Sequence, residues 1–135
     1  MFGLQVRYLS FFFVIITVLS FFNIIYSYYL NLYLNLNTYY YCFAVSLILA
    51  ILFYRIKTPE IKINIFKKIL TVFLGYILLP LILSIPFYFS IYNLSLLDSF
   101  FETISGFTST GFTIFSNIKN IDQSLILWRS STQWI

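Results

Sequence analysis

The chain has no histidine, one cysteine and four acidic residues in 135, and only 9% of its residues are charged. Without histidine, the commonest general base and the commonest metal ligand are both missing. A single Cys42 excludes an internal disulfide and leaves the redox compartment unread. A soluble domain carries roughly a quarter charged residues, so this chain has too little polar surface to cover a globule in water. What it has instead is apolar: 61% hydrophobic residues and a mean hydropathy of +0.92. The membrane is therefore the expected solvent. The net charge of +4 raises nucleic acid as a partner, but the basic residues form no patch interleaved with aromatics, and none is expected. Codons rich in A and T also produce Phe, Ile, Tyr, Asn and Lys, so single aromatics carry little weight.

Three long apolar runs organise the chain. The first, Tyr8 to Leu30, exceeds the roughly 20 residues needed to cross the hydrocarbon core. A signal peptide fits poorly, because only Arg7 precedes the run and no small-x-small site ends it. Residues 31–38 read as an Asn-rich loop. The second run, Tyr39 to Tyr54, is near the lower limit for a span, with Tyr39, Tyr40 and Tyr41 expected as an interfacial anchor. The third, residues 69–92, contains Pro80 and Pro86. In a membrane bundle prolines survive as kinks because neighbours satisfy the freed carbonyls. One kinked span is expected; two shorter interfacial helices are the alternative.

Between the second and third runs lies "RIKTPEIKINIFKK", which carries Arg55, Lys57, Lys62, Lys67 and Lys68 against Glu60 alone, with Pro59 opposing a continuous helix. If the first two spans form a hairpin, Arg7 joins these bases on one side. The positive-inside rule makes that side cytoplasmic, together with the N-terminus. The expected architecture is thus an all-α integral membrane protein. A two-helix hairpin with its basic loop occupies residues 1–68, and a second unit occupies residues 69–135 and enters the remainder from the outer side.

That remainder breaks the pattern. Ser95 and Asp98 have the spacing of a capping box, and Leu97, Phe100, Phe101 and Ile104 recur at helical spacing. Gly106 reads as the stop. The predicted helix, 96–105, is about 15 Å long, too short to cross. It must enter and turn back over residues 107–113, where "SGFTSTGF" sets small polar residues in an apolar chain. Non-helical backbone at membrane depth survives where it is buried in protein or lines a water-filled path. Carbonyls freed at this turn can replace the hydration shell of a cation. Gly111 permits backbone angles that aim a carbonyl inward. The hydroxyls of Thr108, Ser109 and Thr110 brace the backbone or add ligands, and the negative end of the short helix favours a cation. Backbone oxygens without a ring of carboxylates suit a monovalent ion. A polar loop on the outer surface accounts for the same residues equally well at this level.

The stretches "FFETISGFTSTGFT" and "LILWRSSTQWI" resemble the first pore loop and the start of the following helix in TrkH-type potassium uptake proteins of the Trk/Ktr/HKT cation transporter superfamily. The likeness covers residues 97–135; the first two spans match by topology alone. It implies a potassium-channel-like transporter built from four helix–pore loop–helix repeats, here with a first helix at 69–92, a pore helix at 96–105, a filter at 107–113 and the start of a second helix at 125–135. Ser109-Thr110-Gly111-Phe112 then matches the Thr-Val-Gly-Tyr run of potassium channels. The filter residues are Thr108, Ser109, Thr110, Gly111 and Phe112, with potassium held at the carbonyls of Thr110 and Gly111 in particular. Potassium is cargo, and no cofactor is implied. The family also implies a bacterial inner-membrane location, a homodimer and a cytosolic nucleotide-binding regulatory subunit. Because the family runs to several hundred residues, the chain is expected to be an N-terminal fragment. It would supply one quarter of a filter that the remaining repeats complete.

Other residues carry two readings each. Glu102, four residues after Asp98, either supports the filter or sits near the interface. Gly106 joins it as filter support. Arg129, between Trp128 and Trp134, either anchors at the interface or pairs with Glu102 or Asp122. Asp122 and Lys119 are expected to be solvated. Gly75 is expected to allow close helix packing. Asp98 and Glu102 could suggest acid–base chemistry, but no nucleophile or metal site accompanies them, so no enzyme is expected. A small polytopic subunit or assembly protein that does not conduct is the competing function.

Overall fold

The computed structural model describes residues 7–56 and 65–135. The basic loop residues Lys57, Pro59, Glu60 and Lys62 lie outside them. Helices α1 (Arg7–Tyr29) and α2 (Leu36–Arg55) form an antiparallel hairpin. Its register is set by Thr17 Oγ1 on Ser46 Oγ at 2.9 Å, by Phe13 against Phe53 with centroids 5.3 Å apart, and by the Arg7 guanidinium 5.0 Å over the Tyr54 ring. The side-chain distribution of α1 is the reverse of a soluble helix. Ser10, Thr17, Ser20 and Ser27 are buried, while Phe11, Phe21, Phe22 and Ile25 face outward. Small residues let helices approach closely where lipid supplies no hydrophobic drive. The hydroxyls of Ser10, Thr17 and Ser20 donate to carbonyls one turn back, those of Arg7, Phe13 and Ile16.

The third expected span is present but differs in shape. Helix α3 runs Ile65–Leu83 with Pro80 inside it, breaks at Ser84, and resumes as the single turn α4, Ile85–Tyr88. Residues Ile65–Tyr88 together are long and apolar enough to cross a membrane, as are α1 and α2. Pro86 has no N–H for the Ile82 carbonyl, and the break leaves Leu83 beside it. Cys42 Sγ of α2 approaches Ile82 O at 3.6 Å, and Trp128 Nε1 donates to Leu83 O at 3.0 Å. Donors from neighbouring helices thus satisfy the kink. Gly75 faces α1 so closely that a Cβ would lie 3.1 Å from Leu9 Cδ2, which places the middle of α3 beside the start of α1.

Arg7, Arg55, Lys67 and Lys68 therefore share one end of the bundle, and the α1–α2 turn lies at the other. Helix α5 (Leu96–Phe107) starts at that second end and descends until Phe107 meets Tyr76 of α3, ring centroids 5.7 Å apart. Tyr76 lies about 18 Å below Tyr88 by helical rise. The chain then returns, and Tyr92 Oη donates to Asn120 O at 3.3 Å, at the end of a 3₁₀ turn at Ile118–Asn120. Helix α6 (Gln123–Thr132) descends again beside α5.

Sequence expectations fail instructively at this second end. Tyr39 is buried and donates to Ser124 Oγ at 2.9 Å, while Tyr40 and Tyr41 are exposed. Asp122 is not solvated. It caps α6 by accepting from Ser124 N at 3.0 Å and accepts from Asn35 Nδ2 at 2.7 Å. Asn35, fully buried, also accepts from Ile91 N at 3.1 Å. One amide in the Asn-rich stretch thus ties the hairpin, the loop before α5 and the start of α6. Lys119 is exposed, as expected.

Candidate functional site

Ser95 caps α5, accepting from Asp98 N at 3.1 Å, while its hydroxyl donates to Asp98 Oδ2 at 2.7 Å. This engages Asp98 at the helix start, one turn above Glu102, so the two carboxylates have separate tasks. Among the described residues no group of three His, Cys, Asp or Glu gathers as a metal site.

The buried face of α5 is small and polar: Ser99, Glu102, Thr103, Ser105 and Gly106. Gly106 is not the stop. The helix continues to Phe107, and the residue's role is close approach: a Cβ there would lie 2.5 Å from Thr132 Oγ1 and 3.4 Å from Arg129 O. The stop comes later. Ser109 adopts φ +55° and its N–H bonds Gly106 O at 2.9 Å, while Thr110 N–H bonds Ser105 O at 3.0 Å. That paired arrangement is a Schellman ending with a serine in the left-handed position that glycine usually fills. Gly111 then takes φ +83° in open space.

The consequence is a sorting of carbonyls. Those of Ser105 and Gly106 are used by the helix ending. Those of Phe107 to Gly111 accept no hydrogen bond from any donor among the described residues, nor do those of Thr113 to Ser116; what sets Thr108, Ser109, Thr110 and Gly111 apart is that all four residues are also exposed. Hydroxyl contacts stiffen the run: Thr108 Oγ1 donates to Ile104 O at 2.7 Å and also meets Thr110 Oγ1. Phe112 departs from its neighbours. Its carbonyl already accepts from Ser105 Oγ and from Arg129 Nη2 at 2.6 Å, so it is not free to meet an ion, whereas its ring is exposed.

Beneath the turn, Glu102 is completely buried. Its carboxylate accepts from Thr113 Oγ1 at 3.0 Å and from Ile114 N at 3.0 Å. The Thr113 hydroxyl in turn accepts from Phe115 N at 3.2 Å. Arg129 Nε lies 2.9 Å from Glu102 Oε1, an ion pair whose N–H points off the line to the oxygen. Asp122 is not its partner. A buried carboxylate demands a compensating charge and hydrogen bonds; here it finds both, and the donors it consumes belong to the returning strand. Trp128, fully buried against Tyr39, is a core residue, while Trp134 is exposed. Of the two acids open to Arg129 in the sequence, the structure pairs it with Glu102; Asn35 and Trp128 act as ties that no local pattern marks, and the left-handed Ser109 carries no sequence signal.

No protein-family model matches the chain, and no solved structure does. Two curated proteins are similar over part of it. The uncharacterized cation transporter MJ1485 of Methanocaldococcus jannaschii is 37% identical over 62 residues, 46% of this chain and 13% of the relative. The Trk system potassium uptake protein TrkI of Halomonas elongata is 40% identical over 57 residues, 42% of this chain and 10% of the relative. The chain thus spans about an eighth or less of the length of these relatives. It is an all-helical protein among its described residues, with three helices able to cross a membrane, and a part of it is similar to cation transporters.

Proposed function

We propose that the chain contributes a cation-conducting pore segment to a TrkH-type potassium uptake protein. Helices α3 and α4 form the first helix of a repeat, α5 the pore helix, residues 108–112 the filter strand and α6 the second helix. The observation that carries this reading is the run of exposed, unpaired carbonyls at Thr108, Ser109, Thr110 and Gly111, placed by the Glu102–Arg129 clamp. A helix that enters to mid-bundle, exposes backbone oxygens and returns has the form of a potassium-selective filter quarter. The likeness to a protein named for potassium uptake supports the choice of ion.

Binding exchanges water oxygens for carbonyls, with no covalent step. The membrane potential draws the ion inward with about 2.3 kcal/mol per charge per 100 mV. Thr110 and Gly111 offer potassium its principal oxygens. Further repeats of the same transporter complete the filter, which one segment cannot enclose. The basic end of the bundle, with the N-terminus, faces the cytoplasm of a bacterial inner membrane, where a nucleotide-binding regulatory subunit docks on a homodimer.

The test is potassium uptake in cells deprived of their own uptake systems, using the complete reading frame that contains this chain. Growth at low potassium should be restored. Gly111→Ser forces a side chain onto φ +83° and should lower the preference for potassium over sodium by about tenfold or more, one hydrogen-bond equivalent of binding energy. Rescue that is insensitive to Gly111→Ser would remove the filter from residues 108–112. Absence of rescue, with the protein present in the membrane, would favour a polytopic subunit that does not conduct.

A further inference from the structure

An apolar crevice of about 260 Å³ runs between α1 and α3. It is lined by Tyr8 and Phe12 of α1, by Thr71, Val72, Tyr76 and Leu79 of α3, and by Phe107 and Ile135. Gly75 and Leu9 meet closely along one side of it, where a Cβ on Gly75 would lie 3.1 Å from Leu9 Cδ2. From Thr71 to Leu79 the groove follows the helix for about 12 Å. Its polar feature is at the bottom. Lys67 and Lys68 precede Thr71 and Val72 by four residues, so they continue the two crevice-lining rows of α3 one turn further out. Arg7 adjoins Tyr8 and lies over Tyr54, and Arg55 ends α2 at the same level. The described acids are elsewhere: Asp98 and Asp122 at the opposite end, and Glu102 paired to Arg129.

An apolar groove that opens onto a cluster of cations has two chemistries in fixed order. We propose that it is a binding site for an anionic phospholipid, with an acyl chain lying between α1 and α3 and the headgroup phosphate held by Lys67 and Lys68, in the field of Arg7. The charge of the groove mouth selects the headgroup, and a larger side chain at Gly75 would spread α1 from α3 and intrude on the groove. Lysines at this depth extend along the helix to reach phosphate. The inference needs the chain to lie in a membrane but is independent of ion conduction.

The experiment is photolabelling of the purified protein in phosphatidylcholine vesicles containing phosphatidylglycerol with a diazirine in its acyl chain. Labelled peptides should map to 8–12 and 71–79. Excess unlabelled phosphatidylglycerol should compete, and phosphatidylcholine should not. Lys67→Gln and Lys68→Gln, at positions that are half-buried and exposed, should each lower this labelling about fivefold at low salt, from roughly 1 kcal/mol per basic residue near an anionic surface, without moving the melting temperature. Gly75→Leu should abolish it; because that variant can also disturb α1–α3 packing, the lysine variants decide. Labelling spread evenly over the outer faces of α1 and α2, equal competition by phosphatidylcholine, or no response to either lysine change would overturn the site.

Discussion

The α1–α2 hairpin and the α5–α6 unit both bury polar side chains, but they satisfy them differently. In the hairpin, the hydroxyls of Thr17 and Ser20 turn back on the carbonyls of their own helix, four residues away. The helix would keep its shape without them. In the α5–α6 unit, Glu102 reaches Thr113 and Ile114 on the returning strand and Arg129 on another helix. Thr113 and Ile114 have no helix to fall back on. Ser99 and Thr103 of α5 also turn back on their own helix, so the difference lies in Glu102: hydroxyls of that kind ease close packing, whereas the carboxylate determines where irregular backbone sits. A membrane protein can lose the first kind singly with little effect, whereas the second kind acts as a unit.

The largest effect should follow from Glu102→Ala. It removes acceptors from the Ile114 N–H and the Thr113 hydroxyl and strands the Arg129 charge, a loss of about 3–5 kcal/mol for a broken buried pair. Melting of the purified protein in detergent should fall sharply. The double variant with Arg129→Met should be less damaged than the sum of the two single changes. Strict additivity would show that the acid and the arginine act separately, and the contrast with the hairpin would collapse. Next in size is Gly106→Ala. Its new Cβ meets Thr132 Oγ1 at 2.5 Å, and overpacking of this kind costs about 1–3 kcal/mol. Adding Thr132→Ala should recover most of the loss, because it removes the clashing oxygen. A failure to recover would place the strain at Arg129 O, 3.4 Å away, in backbone that cannot yield.

How much of this was readable beforehand follows the same division. Long apolar runs announce spanning helices by length alone, and α1 and α2 appear where expected, within a few residues. Proline marked the third span correctly as kinked, but not where it breaks, because the break at Ser84 depends on Cys42 and Trp128 arriving from other helices. The capping box at Ser95 is local and was legible. Gly106 was misread as a stop because glycine serves two ends, helix termination and close approach, and only the neighbour at Thr132 distinguishes them. Asn35 and Asp122 were read as loop residues because nothing in either local stretch reveals a partner 87 positions away. Ser109 in the left-handed region is invisible to composition for a related reason: its conformation is imposed by the ending of α5.

That conformation offers a test of opposite sign. A non-glycine residue in the left-handed region costs about 1 kcal/mol, so Ser109→Gly should raise stability by roughly that amount, less the added freedom of the unfolded chain. A gain in melting temperature with an unchanged arrangement of Glu102 and Arg129 would mean that the turn is held by the clamp below it. A loss would mean that the Ser109 side chain has a task of its own at the exposed surface.

The smallest effect should come from the hairpin. Thr17→Val deletes the hydroxyl that meets Ser46 Oγ at 2.9 Å but keeps the branched shape of the side chain. Hydrogen bonds between membrane helices average about 0.6 kcal/mol. Ser46 retains a second partner, the Phe43 carbonyl at 3.1 Å, so no polar group is stranded. Melting should therefore shift by a small fraction of what Glu102→Ala produces. If Thr17→Val proves as damaging as the loss of Glu102, then the hairpin hydroxyls do more than ease packing, and the local satisfaction of their hydrogen bonds is not what makes them dispensable.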